Sequence, residues 1–297
     1  MKARIVLIIA AILVTPGCGG DEADEAGARI VAAFYPLAYA AERVGGADVD
    51  VRNLTPPGAE PHDVELTARD VERVRQADVV LYLGGGFQPA LEDAVADVEG
   101  EALDLLGGVR LLRGEAHDEH AEDDENDESE SSVDPHVWLD PLRYATIVER
   151  IGRELQRPQA AAAVVRELRQ LDRDFRLGLD DCDRRDLVTS HAAFAYLAQR
   201  YRLRQISISG LSPESEPTPR ELEEIIEHVE ESGARTIFFE TLVSPRIAKT
   251  VARETGAETA VLNPLEGLTE EELESGANYL TVMRRNLAAL RAALGCR

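Results

Sequence analysis

The segment Val79-Val80-Leu81-Tyr82-Leu83-Gly84-Gly85-Gly86 decides the fold class of this chain. Its first five residues form an unbroken apolar run, which is typical of a strand buried in a parallel sheet. The three glycines predict a tight turn into a helix that begins near Phe87. A phosphate-binding loop would instead need a following Lys-Ser/Thr pair or the GxGxxG spacing, and neither occurs here.

Strand and helix patterns alternate on both sides of this segment. Further strands are predicted at residues 29–34, 49–54, 186–190, 203–209, 236–239 and 259–262. Helices are predicted at residues 36–45, 67–76, 141–155, 159–179, 192–201, 220–231, 244–255 and 272–294. The long helix at 159–179 separates two groups of strands. The pattern predicts an α/β protein with two βα lobes, each built on a mostly parallel sheet, joined by that helix.

A length of 297 residues suits two compact units better than a single core. The predicted division is a signal peptide at 1–18, a tether at 19–28, a first α/β lobe at 29–157 with an acidic loop at 115–133, a linker helix at 158–180 and a second α/β lobe at 181–297. No clear internal repeat relates the two lobes in sequence.

The charge balance excludes one class of function. The chain carries 32 Lys and Arg against 56 Asp and Glu, a formal net charge of −24. Nucleic-acid binding needs a basic face, so no nucleic-acid partner is expected. Three cysteines without a CxxC pair also exclude a thiolate zinc site and a thioredoxin-type redox centre.

The N-terminus has the pattern of an export signal. Lys2 and Arg4 precede the apolar run of residues 5–14, which is about half the ~20 residues that cross a bilayer. Thr15-Pro16-Gly17-Cys18 resembles a bacterial lipobox, so Cys18 is expected to be lipid-modified; an ordinary cleaved signal is the alternative. The mature protein is therefore expected to be periplasmic or lipid-anchored to the outer face of the cytoplasmic membrane.

Export also bears on the two remaining cysteines. Outside the reducing cytosol, Cys182 and Cys296 are expected to form a disulfide that fastens the C-terminus to the start of the second lobe. Two unrelated free thiols are the alternative.

The six histidines are unevenly placed. Three lie in charged, solvated sequence, namely His228 on a glutamate-rich helix and His117 and His120 in the acidic loop. The other three, at junctions between strands and helices, are His62, His136 and His191. Loops that follow strands form the ligand crevice of open α/β sheets, so these three imidazoles predict a metal site, with zinc favoured. Each alone would more often be a capping or core histidine.

Four motifs resemble one family over essentially the whole mature chain. They are Glu60-Pro61-His62-Asp63, Asp134-Pro135-His136-Val137-Trp138-Leu139-Asp140-Pro141, Ser190-His191-Ala192-Ala193-Phe194-Ala195-Tyr196-Leu197 and Ser212-Pro213-Glu214-Ser215-Glu216-Pro217-Thr218. The family is that of the ZnuA-like (cluster A-I) zinc- and manganese-binding lipoproteins of metal ABC uptake transporters. The resemblance implies two α/β lobes, a rigid linker helix and a metal ion in the cleft between the lobes.

The same resemblance implies a ligand set. His62 and His136 come from the first lobe and His191 from the second; manganese-type relatives tend to carry a carboxylate in place of the third histidine, so zinc is expected and manganese is the alternative. Asn263 stands where many relatives have an aspartate ligand. Glu60, Glu240, Asn263, water or a residue of the acidic loop is expected to complete the coordination or to support the ligands.

The expected function is capture of zinc and its delivery to an ABC importer, with a membrane permease and a cytoplasmic ATPase as partners of a monomeric binding protein. A metal-dependent adhesin and an exported zinc hydrolase are the alternatives, although no HExxH helix or GxSxG elbow supports a hydrolase. The acidic loop, with His117 and His120, is either a capture site for zinc or a solvated linker.

Overall fold

The structure is a computed structural model that describes residues 27–113, 133–215 and 217–297. The predicted signal peptide, the lipidation site Cys18, the capture residues His117 and His120 and most of the acidic loop lie outside the described residues. Among the helices that are described, none combines the length and the apolar character needed to cross a membrane.

The first sheet contains four parallel strands in the order β2-β1-β3-β4. The strands are β1 (Ala28–Ala32), β2 (Val49–Asn53), β3 (Val79–Tyr82) and β4 (Glu101–Asp104), and the helices that follow the first three are α1 (Tyr35–Gly45), α2 (Ala68–Gln76) and α3 (Pro89–Ala94). The glycine turn after β3 is longer than predicted, because α3 begins with Pro89 in its first turn. Strand β4 was not predicted, since this four-residue edge strand starts and ends with acidic residues.

The second sheet repeats this arrangement with the order β6-β5-β7-β8. Its strands are β5 (Asp186–Thr189), β6 (Arg204–Ser207), β7 (Thr236–Phe239) and β8 (Glu258–Val261), and its helices are α6 (Ala195–Tyr201), α7 (Pro219–Ser232) and α8 (Arg246–Thr255). All three pairings are parallel. The two lobes therefore share one topology without a recognisable sequence repeat, which confirms the predicted fold class.

Two helices connect the sheets, α4 (Pro141–Glu154) and α5 (Pro158–Gly178). Pro158 lies at the start of α5, where its missing N–H costs nothing. The two helices pack closely, since a Cβ at Gly152 would lie only 2.3 Å from that of Ala161. The 21-residue α5 is the predicted linker helix, whereas the lobe boundaries at 157 and 181 stay predictions.

The terminal helix is not continuous, in contrast to the prediction over residues 272–294. It is divided into α9 (Glu270–Glu274) and α10 (Tyr279–Leu294). Gly276 adopts a left-handed φ of +80° between them, and Asn278 then caps α10 in a reciprocal box with Thr281. The predicted disulfide between Cys182 and Cys296 is present and ties the end of α10 to the chain after α5.

One large hydrophobic core extends through both lobes. It includes side chains of the first sheet, of α4 and α5, and of α6 and α10 in the second lobe. A smaller cluster, which includes Val188 and Ile237, lies in the second lobe. Because a single apolar core joins the lobes, the loops at the carboxyl ends of the two sheets are held in a defined relation across the cleft.

Candidate metal centre

Four side chains from loops that follow strands meet between the lobes. His62 lies in a short 3-10 turn after β2, and His136 lies just before α4. His191 comes two residues after β5, and Glu266 five residues after β8. In the described part of the chain, these four residues form a group able to hold a metal ion, with one ligand atom of each within 4.8 Å of all the others. His136, His191 and Glu266 are buried, and His62 is nearly so.

The carboxylate oxygen Oε1 of Glu266 lies within 3.4 Å of Nε2 of all three imidazoles. It is 3.0 Å from Nε2 of His136, 3.2 Å from Nε2 of His191 and 3.4 Å from Nε2 of His62. The Nε2 atoms of His136 and His191 are 3.4 Å apart. Ligand atoms at 2.0–2.1 Å from a tetrahedral zinc ion are separated by about 3.3 Å. Four of the six separations among the ligand atoms are therefore close to the edges of a zinc tetrahedron.

Two acidic residues orient the imidazoles. Asp134 Oδ1 lies 2.8 Å from Nδ1 of His136 and also accepts a hydrogen bond from its backbone N–H. Glu240, directly after β7, contacts Nδ1 of His191 at 2.5 Å and accepts a hydrogen bond from the Ser190 hydroxyl. When Nδ1 donates to a carboxylate, Nε2 keeps its lone pair for a metal. Both rings thus present Nε2 to the centre of the group.

His62 is held differently. Its backbone N–H donates to Oε1 of Glu60 at 3.4 Å, and its ring meets the ring of Phe87 edge-on with 4.7 Å between centroids. Gln88 fixes the same turn by donating to the carbonyl of Pro61 at 3.1 Å. Its turn and ring packing therefore place this histidine, and among the described residues no carboxylate is hydrogen-bonded to its Nδ1.

Burial and charge coupling set the ionisation of the site. Burial alone would raise the pKa of Glu266, but His191 and the hydrogen bonds from the imidazoles hold that pKa well below its usual range. Burial, reinforced by the charge of Glu266, raises the pKa of Glu60 to about 9. Glu266 is therefore ionised at neutral pH while Glu60 is protonated, so Glu266 supplies the negative charge at the centre.

The structure brings together the three predicted histidines. The other candidate ligands, Glu60, Glu240 and Asn263, make different contacts. Glu240 contacts His191 through the nitrogen that faces away from the group, and Glu60 contacts the backbone of His62. Asn263 hydrogen-bonds within its own loop, where its Oδ1 accepts from the N–H of Leu265. His228 is exposed on α7, as the sequence predicted.

Glu266 is the residue that sequence reasoning missed. It lies three residues after Asn263, in the loop after β8. The sequence does carry an indication of its role. Glu266 lies between the apolar residues Leu265 and Leu268, shortly after a predicted strand, and a glutamate with no role but solvation is not expected in such an apolar loop. Its Oε2 atom is buried without a hydrogen-bond partner among the described residues, as expected of a carboxylate that serves a cation.

Comparison with known proteins agrees with this site. Residues 30–293 match the family model described as ZnuA, zinc-uptake complex component A, periplasmic. The zinc-binding protein AdcA of Streptococcus pyogenes is 35% identical over 98% of this chain, but the chain spans only 61% of that relative's length. The high-affinity zinc uptake system protein ZnuA of Bacillus subtilis is 31% identical over 98% of this chain and 97% of its own length.

The solved structures that resemble this chain include zinc-binding proteins of the same fold. The Zn(II)-bound ZnuA-like domain of AdcA from Streptococcus pneumoniae has a TM-score of 0.74 and 35% identity, with 90% of this chain and 99% of that domain covered. The family consists of transport binding proteins, so an exported zinc hydrolase, one alternative left open by the sequence, is not supported. The chain belongs to the family of ZnuA, the periplasmic component A of zinc-uptake complexes.

Proposed function

We propose that this protein binds one zinc ion through His62, His136, His191 and Glu266 and delivers it to an ABC importer. The observation that carries the proposal is the set of separations of 3.0 to 3.4 Å between Glu266 Oε1 and the three Nε2 atoms. Four ligands also close the coordination shell of zinc, which suits a carrier that holds its cargo without activating water.

The donor set favours zinc over manganese. Three imidazole nitrogens and one carboxylate oxygen suit zinc, whereas manganese prefers mainly oxygen donors in an octahedron. Manganese would therefore bind at this site more weakly than zinc.

The partners of this function are a membrane permease and a cytoplasmic ATPase, which would receive the ion from the cleft between the lobes. Cys18 would carry a lipid anchor that keeps the protein near the permease. A relative in Streptococcus pneumoniae is named a zinc-binding lipoprotein, which supports this placement. The acidic loop with His117 and His120 would attract zinc ions to the protein through its negative charge.

Elemental analysis of protein purified without added metal, followed by chelator competition, tests the proposal. About one zinc ion per chain and preference over manganese are expected. His136→Ala should lose most of the zinc affinity, while the exposed His228→Ala serves as a matched control and should bind like the unchanged protein. Equal behaviour of the two variants, or a manganese preference, would overturn the proposal.

A further inference from the structure

The loop that carries Glu266 has an unusual backbone. Leu265, the residue before Glu266, adopts a left-handed φ of +59° although it is a branched, fully buried side chain. Within the described ranges only two other non-glycine residues, Gln156 and Arg202, have a positive φ, and both follow the ends of helices. A bulky residue keeps this conformation only where its surroundings impose it.

Hydrogen bonds from side chains, rather than the backbone hydrogen bonds of a strand or helix, hold Leu265 in this conformation. Asn286 on α10 accepts from the N–H of Asn263 at 3.0 Å and donates to the carbonyl of the same residue at 2.7 Å. Trp138 of the first lobe donates from Nε1 to the carbonyl of Pro264 at 2.7 Å. Asn263 then accepts from the N–H of Leu265 at 2.7 Å. Every backbone donor and acceptor from the nitrogen of residue 263 to that of residue 265 therefore has a side-chain partner.

We infer that Asn286 and Asn263 are positioning residues, which aim Glu266 at the metal without touching the ion. Both amides are almost fully buried. The amide of Asn286 supplies both the acceptor for the N–H and the donor for the carbonyl of one residue, Asn263. Asn263 likewise accepts from Leu265 and donates to Thr241 at 3.1 Å. A carboxylate at either position would lose the donor.

The charge next to Asn263 explains why an amide is needed there. Its Nδ2 lies 3.4 Å from Oε1 of Glu272, the residue that caps α9 with Thr269. An aspartate at position 263 would place a second negative charge against Glu272, and the Thr241 hydroxyl would have to donate to it instead of accepting from it. The amide of Asn263 keeps its hydrogen bonds to Thr241 and Leu265, and these hold the loop in the conformation that brings Glu266 to the three histidines.

A double-mutant cycle tests this inference, which rests on the proposed zinc function. Asn286→Leu keeps the branched shape and the number of heavy atoms of the side chain and removes both hydrogen bonds. We expect it to weaken zinc binding about 10- to 100-fold, as loss of a supporting partner does in metal sites. In a Glu266→Ala background the same change should have almost no further effect, because its target has been removed. An equal loss in both backgrounds, or no loss in either, would overturn the inference.

The control separates positioning from general destabilisation. Leu290→Ala, at a fully buried site one turn further along α10, should lower the melting temperature without changing zinc affinity or the absorption spectrum of bound Co²⁺. Asn286→Leu should change that spectrum. If Asn286→Leu does not fold, Asn263→Ala is measured in the same cycle with the same criteria. Failure of the unchanged protein to bind zinc would instead refute the proposed function itself.

Discussion

Glu240 lies behind His191, with 2.5 Å between its Oε1 and Nδ1 of the imidazole, on the opposite side of the ring from Glu266. The two carboxylates therefore hold one ring from both ends. Glu240 fixes the tautomer of His191 by accepting from Nδ1, and Glu266 lies beside Nε2, the proposed ligand atom.

Replacing Glu240 should weaken zinc binding without removing a ligand. In Glu240→Gln the amide oxygen can still accept from Nδ1 of His191, but the loss of charge makes the imidazole a weaker donor to the metal. We expect zinc affinity to fall about tenfold or more, measured by chelator competition. Glu227→Gln, an exposed change of the same kind on α7, is the control. Identical affinities for the two variants would contradict the assigned role of Glu240.

Substitution by glutamine should lower the zinc affinity strongly at Glu266 and only slightly at Glu60. Glu266 is ionised at neutral pH, so Glu266→Gln removes a ligand charge and should weaken zinc binding by about 100-fold, beyond the effect of losing a supporting partner. The pKa of Glu60 is raised to about 9, so its carboxyl group is already neutral and Glu60→Gln should change affinity little. A larger loss in the Glu60 variant would show that Glu60 is the carboxylate ligand.

Zinc affinity should keep rising with pH above neutrality. Burial works to lower the pKa of His191, but Glu240 and Glu266 outweigh it and hold that pKa well above its usual value of 6.5. Zinc requires the unprotonated Nε2, so a proton competes with the metal until the pH exceeds this raised pKa. Competition titrations between about pH 6 and pH 9 should show the increase. A constant affinity over this range would contradict imidazole ligation.

The disulfide should contribute to stability rather than to the site. Cys182 and Cys296 are 114 residues apart in sequence. Closing such a loop contributes about 4 to 5 kcal/mol at most by chain entropy, and about 2 to 4 kcal/mol in typical proteins. The double variant Cys182→Ala and Cys296→Ala should therefore lower the free energy of unfolding in urea by a few kcal/mol. A midpoint unchanged from that of the oxidised protein would refute this contribution.

Much of the fold and of the site was predictable because its signals are local. The apolar run at Val79–Tyr82 and the prolines at the starts of α4 and α5 mark their elements within a few residues. The three histidines were recognisable because each lies at a junction between a strand and a helix. By contrast, β4 and the break before α10 were missed, since an acidic edge strand and a single glycine give weak periodic signals.

The sequence by itself determined the alternation of strands and helices, the histidine donors and the pairing of two exported cysteines, because each depends on residue type and on near neighbours along the chain. Only the tertiary structure decided the fourth member of the metal group. Glu266 is 204 residues from His62, and its position depends on Asn286, Trp138 and the left-handed Leu265, which approach each other only after both lobes have folded. Coordination geometry is a property of atoms in space, and no spacing along the chain specifies it.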